Sequence, residues 1–163
     1  MLLGVVSDTH NNLKNIYQVI DLFNAEKVDF VVHTGDVTNS NSLSKFSNLE
    51  SQFFCVYGNN DLNEPGLEQT AKDNNFSLFR PPHIVDIGKR KIAIFHEPDV
   101  IEDFLSKNND LDIVLHGHTH RYREEILKNT LIFNPGESAG MQKGKNAIGI
   151  VNLDDMSISR IFF

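Results

Sequence analysis

Five short polar motifs constrain this chain most, because each stands where a strand-like apolar run ends. In order they are Asp8-Thr9-His10, Gly35-Asp36, Gly58-Asn59-Asn60-Asp61, His96 and His116-Gly117-His118-Thr119-His120. Imidazoles, carboxylates and a carboxamide at successive strand ends can act together only if those ends meet. Open α/β sheets arrange this at the carboxyl ends of their strands, where the loops share one crevice. Asp8, Asp36 and Asn59 each lie just past an apolar run, and His96 and the histidine cluster repeat the pattern later in the chain.

The segments between the motifs supply the scaffold. The first half alternates in βα fashion, with strands over 2–6, 28–32 and 52–57. A helix capped by Asn11 or Asn12 carries Leu13, Ile16, Tyr17, Ile20 and Phe23 at helical spacing. A short helix uses Leu43, Phe46 and Leu49, and another spans 64–74 with Pro65 in its first turn. The second half turns to hairpins: 84–87 with 91–95 across Gly88-Lys89, 124–127 with 130–133 across Lys128-Asn129, and 147–153 with 156–163 across Asp154-Asp155. A helix over 99–107 and a strand over 113–115 fall between the first two. A βαβαβ half followed by antiparallel strands predicts an α/β fold of two packed sheets with helices outside, as one domain over 1–163.

Charge and cysteine use narrow the function. A net charge of -7 argues against broad nucleic-acid binding, which needs a basic stripe. It still allows a phosphate substrate, because divalent ions reverse the charge locally. The single cysteine, Cys55, can make no internal disulfide, which fits a reducing cytoplasm. No apolar run approaches the ~20 residues of a membrane span. The apolar start over 1–6 lacks a basic flank and meets Asp8 at once, so it reads as a first strand and not as a leader.

The motif residues suit metal binding. Alternate side chains of extended backbone point the same way, so Asp8 and His10 can reach one ion, and His118 and His120 can do the same. Gly35, Gly58 and Gly117 precede candidate ligands where the backbone must turn tightly. A set of oxygen and nitrogen ligands without thiolate suits manganese, iron, nickel, cobalt or zinc. Two ions roughly 3.5–4 Å apart need a shared anion, and Asp36, on the middle strand, is the best bridging candidate. Two divalent ions bring four positive charges against two from Asp8 and Asp36, leaving a net positive pocket for phosphate. Taken singly, most of the motifs read as turns, caps or loops. The alternating histidines at 116–120 favour metal even alone, and all five together point to a metal centre. His33, His83 and His116 read as structural, and Phe53-Phe54 and Ile161-Phe162-Phe163 as core.

The order D-x-H, G-D, G-N-x-D, H, G-H-x-H resembles the calcineurin-like metallophosphoesterases. The short length, the start at residue 8 and the late Asn134-Pro135-Gly136-Glu137 are similar to the small YfcE-type phosphodiesterase branch of that family. The resemblance covers essentially the whole chain. It implies a four-layer αββα sandwich of two mixed sheets, with a dinuclear centre at the carboxyl ends of the strands. One ion would be held by Asp8, His10, Asp36 and His120, and the other by Asp36, Asn59, His96 and His118. A hydroxide between the ions would attack phosphorus in line with the leaving oxygen. The ions would be manganese first, with nickel, cobalt, iron, zinc or magnesium as alternatives.

Two departures bear on the chemistry. Where the phosphomonoesterase branch reads G-N-H-E, this chain has Gly58-Asn59-Asn60-Asp61. Asn59, Asn60 and Asp61 are the candidate catalytic residues, Asn60 as a hydrogen-bond donor and Asp61 as an orienter. Asn60 cannot act as a general acid, which tilts the reading toward small diester substrates. Where relatives continue His-Gly-His, this chain reads His96-Glu97-Pro98, leaving Glu97 or Asp99 to protonate a leaving group. A phosphomonoesterase and a non-catalytic interaction scaffold, such as the similarly folded retromer subunit, stay open as alternatives. The terminal hairpin, with Ile148, Ile150, Ile158 and Phe162, packs internally or against a second copy. The loops 38–44, 62–67 and 140–145 are expected to shape the pocket mouth.

Overall fold

The structure, a computed structural model, describes residues 1–163. Strands 3–6 residues long, most of them apolar runs bounded by polar turns, build two sheets. The first holds β1 (Leu2–Val6), β2 (Phe30–His33), β3 (Gln52–Val56), β4 (Ser77–Phe79), β10 (Ala147–Asn152) and β11 (Ile158–Phe162), in the order β11-β10-β1-β2-β3-β4. The second holds β5 (His83–Ile87), β6 (Arg90–Ile94), β7 (Ile113–Leu115), β8 (Arg123–Leu127) and β9 (Thr130–Asn134), in the order β5-β6-β7-β9-β8. Strands β1 to β4 are parallel to one another, as are β6, β7 and β9, and antiparallel strands flank each set. Both sheets are therefore mixed, as the family resemblance implies.

Three apolar clusters separate four layers. Between the sheets, Leu3, Val5, Val32 and Val56 meet Ile92, Ile94, Leu115 and Phe133. On the outer face of the first sheet, Val31, Phe53 and Ile148 pack under helix α1 (Leu13–Glu26), α2 (Ser40–Lys45) and α3 (Leu67–Asp73). On the outer face of the second, Ala93, Val114 and Ile132 pack under α4 (Ile101–Lys107). The Asn12 side chain caps α1 by accepting from the Asn15 amide at 3.2 Å, so of the two candidate caps the second is used. The inward stripe of α1 is Ile16, Val19, Ile20 and Phe23, the helical spacing read in the sequence.

Several expectations need correction. The helix expected over 64–74 begins at Leu67, because Gly66 sits in a left-handed conformation at its N-cap and leaves Pro65 outside. The helix expected from residue 99 begins at Ile101. Ser77–Phe79, for which the sequence predicts no element, forms the edge strand β4 beside β3. The stretch 38–44 enters α2, with Ser42 and Leu43 buried. In the terminal hairpin Ile148 and Ile150 are core, whereas Phe162 is exposed and carries the Arg160 guanidinium over its ring at 4.6 Å. His83 stacks on Phe79 at 3.6 Å between ring centroids, in line with a structural role.

The carboxyl ends of β1, β2, β3, β6, β7 and β9 converge at one end of the sandwich. The turns at Gly88-Lys89, Lys128-Asn129 and Asp154-Asp155 lie at the other, where Met1 approaches Gly88 and Leu153 donates its amide to the Met1 carbonyl.

Candidate metal centre

Each motif begins one or two residues past a strand and turns inward at once. The extended geometry predicted for Asp8-Thr9-His10 and His118-Thr119-His120 does not occur. Asp8, His10, Asp36, His118 and His120 all have positive φ, between 46° and 66°. The pleat ends with the strand, and the side chains converge because the backbone turns left-handed at the ligands themselves. Such conformations cost non-glycine residues of order 1–3 kcal/mol each and persist where surrounding contacts fix them. Here the contacts are cross-loop backbone bonds: the Asp8 amide donates to the Gly35 carbonyl at 3.1 Å, and the His10 amide to the Asp36 carbonyl at 2.8 Å. Two glycines permit this crowding. A Cβ on Gly58 would collide with the Asp36 carboxylate, and one on Gly117 with the Ser7 hydroxyl.

The turns bring seven side chains together. Asp8, His10 and His120 present ligand atoms within 4.8 Å of one another, and so do Asp8, Asp36 and His96. Asp36 Oδ2 lies 3.9 Å from His10 Nε2 and 3.5 Å from His96 Nε2, between the two halves of the cluster. Asn59 Oδ1 stands 2.9 Å from His96 Nε2 and 3.0 Å from His118 Nδ1. Asp8 Oδ2 accepts from the Ser7 hydroxyl and the His118 amide. Asp8 Oδ1 is buried with no hydrogen-bond donor. An unpaired buried carboxylate oxygen is costly, and a cation relieves that cost.

Two ligand imidazoles are oriented from behind. His96 Nδ1 donates to the Thr34 carbonyl at 2.8 Å, and His120 Nδ1 donates to Glu137 Oε2 at 3.2 Å. Each bond fixes the tautomer and leaves a bare Nε2 facing the cluster, the arrangement that metal-binding histidines require. Glu137 is fully buried and also accepts the amides of Met141 and Gln142. In the sequence Glu137 stands only as the last residue of Asn134-Pro135-Gly136-Glu137, with no role attached. The signal was there: an acid beside Gly136 just past the strand β9.

Electrostatics agree with a site that awaits positive charge. Burial pushes the Asp8 carboxyl above its usual range, partly offset by the Ser7 hydroxyl. Burial also opposes ionisation of Asp36, but the adjacent His96 imidazole and the hydrogen bonds from Asn60 outweigh it and hold the carboxyl well below the usual range. His96 is pushed down by burial and up, more strongly in sum, by Asp36 and Asp8.

The candidate catalytic residues divide. Asn59 joins the ligand cluster. Asn60 turns back onto Asp36, donating from its backbone amide at 2.9 Å and from Nδ2 at 2.7 Å. Asp61 sits behind the cluster, almost fully buried, and accepts the amides of Asp36, Gly58 and Thr38 at 2.7–2.8 Å. Its geometry is that of a brace for the second and third loops. Of the two candidate acids, Glu97 borders the same cavity as His96 and Asn59, and Asp99 faces a separate one.

His33 is a second brace. Its Nδ1 accepts the Gly35 amide at 3.1 Å and its Nε2 donates to Thr9 Oγ1 at 2.9 Å, tying the first loop to the second. Both nitrogens are committed in the neutral ring, and burial lowers its pKa from 6.5 to about 3. The stability it contributes is full above pH 6.5 and is lost as pH falls toward 3, amounting to about 2 kcal/mol at pH 5. In urea titrations of chelator-treated protein, His33→Gln is expected to lose about 2 kcal/mol less than wild type between pH 7.5 and pH 5. An equal loss in both proteins would contradict this role. His116 is likewise buried, with its pKa lowered by burial to about 4.

The whole arrangement has known counterparts. The phosphodiesterase MJ0936 of Methanocaldococcus jannaschii is 35% identical over 156 residues, 94% of each chain. A solved structure of a novel archaeal phosphodiesterase superposes over the full length of both chains with a TM-score of 0.91 and 33% identity. Vps29 of Entamoeba histolytica in complex with zinc shares the fold, at a TM-score of 0.72 and 16% identity over 99% of each chain. Residues 1–156 match the calcineurin-like phosphoesterase superfamily domain. With its sandwich fold, its strand-end cluster of candidate ligands and these relatives, the chain belongs to the calcineurin-like phosphoesterase superfamily and is a phosphoric ester hydrolase.

Proposed function

We propose that the chain is a metal-dependent phosphodiesterase of the cytoplasm, acting on small diesters through a dinuclear centre. The observation that carries this reading is the position of Asp36 Oδ2, between His10 Nε2 and His96 Nε2 at 3.9 and 3.5 Å. A single carboxylate oxygen placed between two histidine-bearing halves suits a bridging ligand. The orphaned Asp8 Oδ1 and the outward-braced His96 and His120 support the same assignment. Asp8, His10, Asp36 and His120 would hold one ion, and Asp36, Asn59, His96 and His118 the other. When bound, the two ions supply an activated water nucleophile and offset the charge that grows on the phosphoryl oxygens.

The protein's own side chains do the rest. Glu137 and the Thr34 carbonyl keep His120 and His96 in the ligating tautomer. Asn60 holds Asp36 in place, and with its amide engaged there it offers no acid for a monoester leaving group. Glu97 stands at the rim of the cavity beside His96 and Asn59. A diester fits this inventory better than a monoester. The relative named phosphodiesterase MJ0936 points the same way.

The test uses chelator-stripped protein reconstituted separately with manganese, nickel, cobalt, zinc and magnesium. We expect metal-dependent hydrolysis of bis(p-nitrophenyl) phosphate, at least about tenfold above p-nitrophenyl phosphate in kcat/KM, a difference of about 1.4 kcal/mol in the barrier. Preference for the monoester would reverse the substrate assignment. Tight metal binding without turnover of either ester would favour the scaffold reading.

A further inference from the structure

We infer that the preferred diester carries an uncharged flat ring on one arm, seated in a cavity beside His96. The inference rests on the phosphodiesterase reading and names the substrate class for that site. A cavity of about 140 Å³ opens where the third and fourth ligand loops meet. Tyr57, Leu62, Pro81, Pro82, Phe95 and Val100 give it an aromatic and aliphatic wall. Asn59 and His96 complete it, so its inner wall is also the wall of the candidate metal centre. A cavity of about 150 Å³ is enough to take up benzene, so this one has room for one six-membered ring.

Two exposed side chains make the cavity hard to explain by folding alone. Leu62 is 49% exposed and Val100 54% exposed, and neither joins any of the three buried clusters. They stand on the loops that carry Asn59 and His96, and a ring between them would remove both from water. Charge decides what that ring can carry. Glu97 stands on the same wall, so a second phosphate or a carboxylate on this arm is repelled. The opposite flank, beside His120, is lined by Arg121, Lys145 and Arg160 with Tyr122 and Phe162, and the Arg160 guanidinium already lies over both of those rings, at 4.1 and 4.6 Å. The site is therefore asymmetric, with the ring on the His96 side.

The test compares two monoanionic diesters that differ only in the rings, diphenyl phosphate and dimethyl phosphate. Binding to manganese-loaded protein is measured by calorimetry, and hydrolysis of bis(p-nitrophenyl) phosphate is measured in parallel. Wild type is expected to bind diphenyl phosphate about 10- to 100-fold more tightly, the scale of burying one apolar ring. In a double variant, Leu62→Asn with Val100→Asn, the preference is expected to fall by about tenfold while dimethyl phosphate binding is unchanged. Both side chains are half exposed, so the fold is not at stake. A wild-type preference under about threefold, or one that survives in the variant, would overturn the inference. Absence of turnover with the preference intact would instead sink the phosphodiesterase reading and leave the ring cavity standing.

Discussion

Asp36→Asn is expected to lower kcat/KM for bis(p-nitrophenyl) phosphate on the order of 10³-fold or more, with manganese saturating. The substitution keeps the shape of the side chain and its neighbours but removes the anion that faces both His10 and His96. Because Asp36 is held well below the usual carboxylate range, it is anionic across the accessible pH range. Lowering the pH in wild type therefore does not reproduce the variant. The metal-free variant should be less stable than wild type, since the folded protein holds the Asp36 anion below the usual carboxylate range and the new amide cannot accept the bond from Asn60 Nδ2. Steady-state kinetics and thermal unfolding on the same preparations check both halves. Full activity in the variant would remove Asp36 from the centre, and with it the dinuclear reading.

Asp61→Ala is expected to act through the fold instead, costing about 3–5 kcal/mol of stability. The carboxylate accepts the amides of Gly58, Asp36 and Thr38, and the Val37 amide at 3.4 Å. Truncation strands these donors in a buried loop pair, where each unmet donor costs about 1–3 kcal/mol. Urea unfolding of chelator-treated protein reads this loss directly, and Asp36→Asn serves as the contrast because it removes charge without stranding a backbone donor. A stability change under 1 kcal/mol would show that water replaces the carboxylate, and would return Asp61 to the list of groups acting in the chemistry.

The contrast between these two acids marks what the sequence makes legible. Asp8, His10, Asp36, Asn59, His96, His118 and His120 were readable because each follows an apolar run, and the parallel strands of two mixed sheets deliver such positions to one end. The left-handed turns were not readable. Local propensity disfavours positive φ at Asp8 or His10, and only the bonds to Gly35 and Asp36 impose it. For the same reason Asp61 and Glu137 look like catalytic or idle acids in sequence. Apart from the nearby Gly58 amide, the Asp61 partners are backbone amides 23–25 residues away, and Glu137 meets a histidine 17 residues away. The strand β4 escaped because Ser77-Leu78-Phe79, unlike the equally short Ile113-Val114-Leu115, is not a continuous apolar run, and its place is set by pairing with β3.

The three hairpin turns at Gly88-Lys89, Lys128-Asn129 and Asp154-Asp155 all lie at the end of the sandwich away from the ligand loops. The molecule thus has a working end and a handling end, joined only by the lengths of its strands. Affinity tags, fluorophores or whole inserted domains placed in those turns leave the seven donor atoms untouched. In evolutionary time the same separation lets the reactive loops drift toward new esters while the opposite rim drifts toward new neighbours, each without disturbing the other.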